Sequence, residues 1–190
     1  DRIKSGIEML SAINTRYHDS DTGKVVAEEL AAKYRALSSH RSDVTVTTYS
    51  HAGATPQDSL VVRIEGQSHG SEVVILGSHL DSVNWNDPDS GRSPGSDDNA
   101  SGTATNLEVF RVLMESGIKF DRTVEIHAYA AEEIGLVGSQ NIAQAYKARG
   151  VNVISMVQHD MTLYKTPGTA DQFYLVSTNT NDGFNDMLGK

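Results

Sequence analysis

The sequence has no cysteine, which excludes disulfides and thiolate metal sites and leaves histidine and carboxylates as the only strong metal ligands. That absence does not fix the compartment, because an exported protein can dispense with disulfides over one segment. Four prolines and a hydrophobic fraction of 38% argue against disorder. No apolar stretch approaches the roughly 20 residues that cross a bilayer, so a membrane-spanning helix is not expected. Basic residues are also scarce, 16 against 25 acidic ones, for a formal charge of −9. No basic run exceeds a pair, which excludes the clustered positive face that a nucleic acid would need. The acidity suits a cation or an amine, and equally suits a surface built for solubility. The chain opens at Asp1 rather than Met with no signal-like segment, which reads as a processed or trimmed product.

What is present is an α/β pattern. Ile3, Ile7, Leu10 and Ile13 recur at helical spacing over residues 1–18, and Val25, Val26, Leu30 and Tyr34 do so over 22–37. Strands are expected at Val44–Tyr49 and Leu60–Ile64, an antiparallel pair joined through turn residues Gly53 and Pro56. The short apolar run Val73–Gly77 suits a strand buried on both faces. A polar loop, 84–96, leads into a helix over 99–116. Strand 123–129, helix 138–149 and a buried strand at Val151–Val157 follow, then a strand at Phe173–Val176 and a helix from Asp182. The alternation predicts a three-layer α/β sandwich, with helices on both faces of a mixed, mostly parallel β-sheet. No repeat or linker divides the chain, so one domain is expected.

Ligands of open α/β sheets bind beyond the carboxyl ends of the strands. Polar clusters follow three of the expected strands: Ser78-His79-Leu80-Asp81, Glu132-Glu133 and His159-Asp160. A fourth, Asp97-Asp98-Asn99, opens the helix after the polar loop. Each alone has an ordinary explanation, as a surface histidine, a helix cap or an acidic first turn. Carboxylates converging on one crevice would repel one another, and a divalent metal removes that penalty. One histidine with several carboxylates suits zinc, and a bridging carboxylate suits two ions. A further carboxylate is then needed as general base, a division of labour that adjacent glutamates can supply.

The motifs Gly77-Ser78-His79-Leu80-Asp81-Ser82, Pro94-Gly95-Ser96-Asp97-Asp98-Asn99-Ala100-Ser101-Gly102, Ala130-Ala131-Glu132-Glu133-Ile134-Gly135 and Gln158-His159-Asp160-Met161-Thr162 resemble those of the M28 family of zinc aminopeptidases. The likeness runs through nearly the whole chain and is nearest to the secreted bacterial leucine aminopeptidases of the Vibrio type. It implies a zinc exopeptidase fold and two zinc ions per complete enzyme. Asp97 would bridge the ions, His79 and Asp160 would complete one site, and Glu133 would hold the other. Glu132 would be the general base, and Asp81 would accept a hydrogen bond from His79 and fix its tautomer. The Asp97–Asp98 peptide would be cis, and Met161 would line the pocket for the substrate's first side chain.

One family feature is missing, because no histidine follows His159 to complete the second zinc site. The chain therefore reads as a truncated catalytic domain, about two thirds of the family's. The resemblance implies a secreted, monomeric metallo-exopeptidase that removes N-terminal, apolar residues from peptides with a free N-terminus. The alternatives are a catalytically inactive binding module or truncated fragment on the same fold, and a related zinc carboxypeptidase or amidohydrolase.

Overall fold

The computed structural model describes residues 2–190. Two helices open it, α1 (Arg2–Ser11) and α2 (Asp21–Leu37), followed by β1 (Val44–Tyr49), β2 (Ser59–Ile64) and β3 (His69–His79). Then come α3 (Ala100–Ser116), β4 (Arg122–Tyr129), α4 (Val137–Arg149), β5 (Asn152–Gln158) and α5 (Asp182–Leu188). The strands form one sheet in the order β1-β2-β4-β3-β5. β1–β2 and β2–β4 are antiparallel, whereas β4–β3 and β3–β5 are parallel.

The amphipathic spacing in the helices builds the core directly. In α2, Val26, Leu30 and Tyr34 fall on one face and are buried against α3 and the sheet with Phe110, Leu60 and Ile126. Burying each such side chain contributes about 1.5–3 kcal/mol. Ser20 starts α2 as its N-cap, its side chain accepting from Gly23 N–H at 3.0 Å. The opposite face of the sheet is covered by α4, where Ile142 and Tyr146 pack on Val73, Ile75 and Tyr129. Helices therefore lie on both faces, as the alternation predicts.

Three sequence expectations need correction. The first helix stops at Ser11 instead of running to residue 18, because Thr15 leaves the helical path to bridge Ser93. Asp1, assigned to the same helix, lies outside the described residues. The Phe173–Val176 segment is not a strand. Phe173 and Tyr174 are 75% and 84% exposed, and among the described residues no strand lies beside them to complete a ladder. β5 is consequently a sheet edge and not the buried strand that its apolar residues suggest, with Val153, Ile154 and Met156 exposed.

Because β3 is parallel to both β4 and β5, the carboxyl ends of all three point the same way. His79 is level with Tyr129, and Gly77 with Gln158. The segments after these ends, with the loop before α3, supply the candidate site.

Candidate metal centre

His79 closes β3 and is 1% exposed. Its Nε2 lies 2.9 Å from Asp98 Oδ1, 3.7 Å from Asp160 Oδ2 and 3.9 Å from Glu132 Oε2. Among the described residues, one ligand atom each from His79, Asp98 and Asp160 lies within 4.8 Å of the others, a spacing that can hold a metal ion. Asp160 comes two residues after β5, and Glu132 and Glu133 follow the end of β4. Asp98 is set by Asn99, which caps α3 by accepting from Gly102 N–H and donates from Nδ2 to the His159 carbonyl at 3.0 Å.

The carboxylate facing His79 belongs to Asp98, not to Asp97 as the motif reading expects. The Asp97 carboxylate turns toward the segment after β5, where Oδ1 accepts from Leu163 N–H at 2.8 Å and from the Ser101 hydroxyl. The cis peptide moves in step: it joins Asp98 to Asn99, not Asp97 to Asp98.

Asp81 is fully buried beneath the site. Its two oxygens accept from the backbone amides of Glu132 and Glu133 at 2.9 and 3.0 Å. Asp81 Oδ1 also stands 3.4 Å from His79 Nδ1, on the ring nitrogen away from the cluster, although this contact falls short of a well-formed hydrogen bond. Glu133 sits apart from the three-residue group and shares with Asp98 the wall of a cavity of about 500 Å³, which Trp85 and Arg92 also line. Met161 is 59% exposed beside Asp160, with a left-handed backbone (φ 51°).

The electrostatics fit a cation. Burial alone would strip the proton from His79, but the carboxylates of Asp160, Asp81 and Asp98 outweigh it and push the ring up to about 12. His79 in turn lowers the pKa of Asp98. Burial, together with Asp98 and Asp81, raises Glu133 to about 7. Burial also raises Glu132, with Asp81, Asp160 and Asp98 adding to the rise against the pull of His79. The donor set, one imidazole and several carboxylates short of positive charge, is that of a hard or borderline divalent metal site.

Three supporting residues escape sequence reasoning. Arg16 is 1% exposed, and its guanidinium donates to the carbonyls of Leu80, Pro94 and Gly95, tying the His79 and Asp98 loops together. Gln57 and Ser59 reach the turn that carries Glu132. No local spacing announces them, since the site segments they brace are 64 to 79 residues away.

A mixed sheet between helices, with a His and carboxylate centre at its parallel strand ends, is an α/β sandwich with a candidate metal site. Residues 59–188 match peptidase family M28, and the chain belongs to that family. It is 37% identical to leucine aminopeptidase 1 of Arthroderma gypseum over 95% of its own length and 51% of the relative's. It is 36% identical to a probable aminopeptidase of Saccharomyces cerevisiae over 98% and 51%. Among solved structures, the Legionella pneumophila LapA aminopeptidase superimposes with a TM-score of 0.77 at 32% identity, covering 85% of this chain and 43% of that one. The chain thus spans about half the length of the curated relatives it matches.

Proposed function

We propose that the protein is a zinc-dependent aminopeptidase that removes N-terminal, apolar residues from peptides with a free N-terminus. The observation that carries this reading is the convergence of His79, Asp98 and Asp160 with Glu132 beside them, in a chain of the M28 family. These three residues would hold one zinc ion; with two ions, Asp98 would bridge and Glu133 would serve the second. Bound there, the metal supplies positive charge that polarises a peptide carbonyl and makes a water acidic near neutral pH.

The chain's own residues do the remaining work. Glu132 takes the proton of the attacking water and passes it to the leaving amine, a role suited to a carboxylate whose proton affinity is increased by burial. Asp81 holds the Glu132-Glu133 backbone and backs His79, keeping both aligned. The negative field of the carboxylates attracts the substrate's free ammonium group. Met161, next to Asp160, would meet the first side chain. A secreted location and a monomeric state are carried over from the family resemblance, as is the completion of the second site by a histidine that this sequence does not contain. No described helix is long and apolar enough to cross a membrane.

A second reading has one specific observation behind it. Glu133 is not gathered with the other three donors, so the chain could hold a single ion and act as a binding module. Leucine anilide and its N-acetylated form, given to the zinc-loaded protein, separate the readings. Cleavage of the free amine alone is the expected result. Equal cleavage of both forms would sink the aminopeptidase reading, and no cleavage with zinc bound would favour the module.

A further inference from the structure

The turn that presents Glu132 is held by side chains at every backbone amide from 130 to 133. Ala130 N–H donates to Ser59 Oγ at 2.9 Å, and Ala131 N–H to Gln57 Oε1 at 3.0 Å. Glu132 and Glu133 N–H donate to the two oxygens of Asp81. The carbonyls of the same turn are occupied as well. Ala130 O accepts from Gly138, Ala131 O from Val137, and Glu132 O from Gly135 and Leu136. The packing is close enough that a Cβ on Gly138 would meet Ala130 O at 2.5 Å and Ser59 Oγ at 2.9 Å.

Within this turn Ala131 adopts φ 50°, the left-handed region that a residue with a Cβ does not hold without help. Gln57 is fully buried, and both ends of its amide are engaged. While Oε1 takes the Ala131 amide, Nε2 donates to the carbonyls of Gly23 at 2.9 Å and Arg16 at 3.2 Å. A flipped amide would face two carbonyls with an oxygen, so its orientation is fixed. Gln57 also joins the turn to the backbone of Arg16, whose side chain braces the loops of His79 and Asp98.

We propose that Gln57 is a positioning residue, which locks Ala131 in its left-handed conformation and thereby aims the Glu132 carboxylate at the His79–Asp98 centre and holds Glu133 beside it. The proposal rests on the reading that these glutamates serve a metal hydrolase site. Ser59 assists one residue earlier, and its hydroxyl is paired with His51 Nε2 at 2.7 Å.

Gln57→Met removes both ends of the lock at nearly constant volume. If the lock acts through Ala131, then Ala131→Gly should compensate for its loss, because glycine takes positive φ freely. The experiment measures amide hydrogen exchange over residues 124–133 and zinc affinity by calorimetry, for the unaltered chain, Gln57→Met and the double variant Gln57→Met/Ala131→Gly. Exchange at Ala131–Glu133 should rise tenfold or more while Val124–Ala128 in β4 keeps its protection. Zinc affinity should fall roughly tenfold, and the double variant should recover most of both losses. Exchange and affinity within twofold of the unaltered chain, or losses that glycine does not restore, would overturn the proposal. Faster exchange with unchanged zinc affinity would uphold the lock and overturn the metal role of Glu133. Should Gln57→Met not fold, Gln57→Asn withdraws the oxygen by one methylene, and the same rescue decides the matter.

Discussion

At the residue scale the division of roles between Glu132 and Glu133 makes a sharp prediction. Glu132→Gln keeps the shape and the Asp81 bond to its backbone but cannot take a proton. Turnover should fall by about 10²–10⁴-fold with zinc still bound. Zinc content by atomic absorption, measured beside the rate, checks this; loss of zinc instead would mean that the two glutamates have exchanged roles. The sequence puts His79, Asp81, Glu132, Glu133 and Asp160 at or just past the ends of its expected strands, and the structure finds them there, with Glu133 outside the His79–Asp98–Asp160 group. It did not distinguish Asp97 from Asp98. Two adjacent aspartates before a helix look alike in sequence, and the choice is made by contacts from afar. Leu163 N–H captures Asp97, while Asn99, anchored to the His159 carbonyl, turns its neighbour Asp98 inward. Gln57 and Arg16 were hidden for the same reason, because a buried polar residue in a loop carries no pattern until its partners are known.

At the element scale the parallel register of β3, β4 and β5 aligns the three ends that supply the site, and helix starts finish the alignment. The N-terminus of α3 packs so tightly on the end of β5 that a Cβ on Gly102 would meet His159 O at 2.3 Å. Gly102→Ala should therefore cost about 1–3 kcal/mol and lower the melting temperature by several degrees in calorimetry. It should also weaken zinc binding, because the same contact sets Asp98 against Asp160. Asn99→Ala should do likewise through the lost cap, at about 1 kcal/mol or more. Most elements were readable from periodicity, β1, β2 and α2 almost to the residue. The exceptions are instructive: α1 ends early because Thr15 pairs with Ser93, and Phe173–Val176 has strand-like residues but no neighbour to pair with.

At the scale of the whole molecule, buried charge gathers in two places, one beneath α4 and one at the ends of the parallel strands. On the α4 face, Glu125 is 3% exposed and bonded by His127 Nε2, Tyr146 Oη and Arg63 Nη1 at 2.7–2.9 Å. Burial opposes its charge, but these partners prevail and lower its pKa from 4.5 to about 2. A carboxylate with a lowered folded pKa stabilises fully above its unfolded value, and the gain is lost as pH falls through the folded one. Glu125 should thus contribute to acid unfolding between about pH 4.5 and 2, and Glu125→Gln should flatten that limb of the stability curve in urea titrations. At the carboxyl ends of the parallel strands, the fold gathers His79, Asp98 and Asp160 from separate segments into one cation-seeking centre, and this is the claim on which the function depends. Calorimetric titration of zinc into the chain and into its Asp98→Asn and Asp97→Asn variants tests it most directly. The unaltered chain should bind tightly, Asp98→Asn should lose about 10²-fold or more, and Asp97→Asn should keep its affinity within a few-fold. Tight binding that survives Asp98→Asn and is lost with Asp97→Asn, or no binding by the unaltered chain, would contradict that claim.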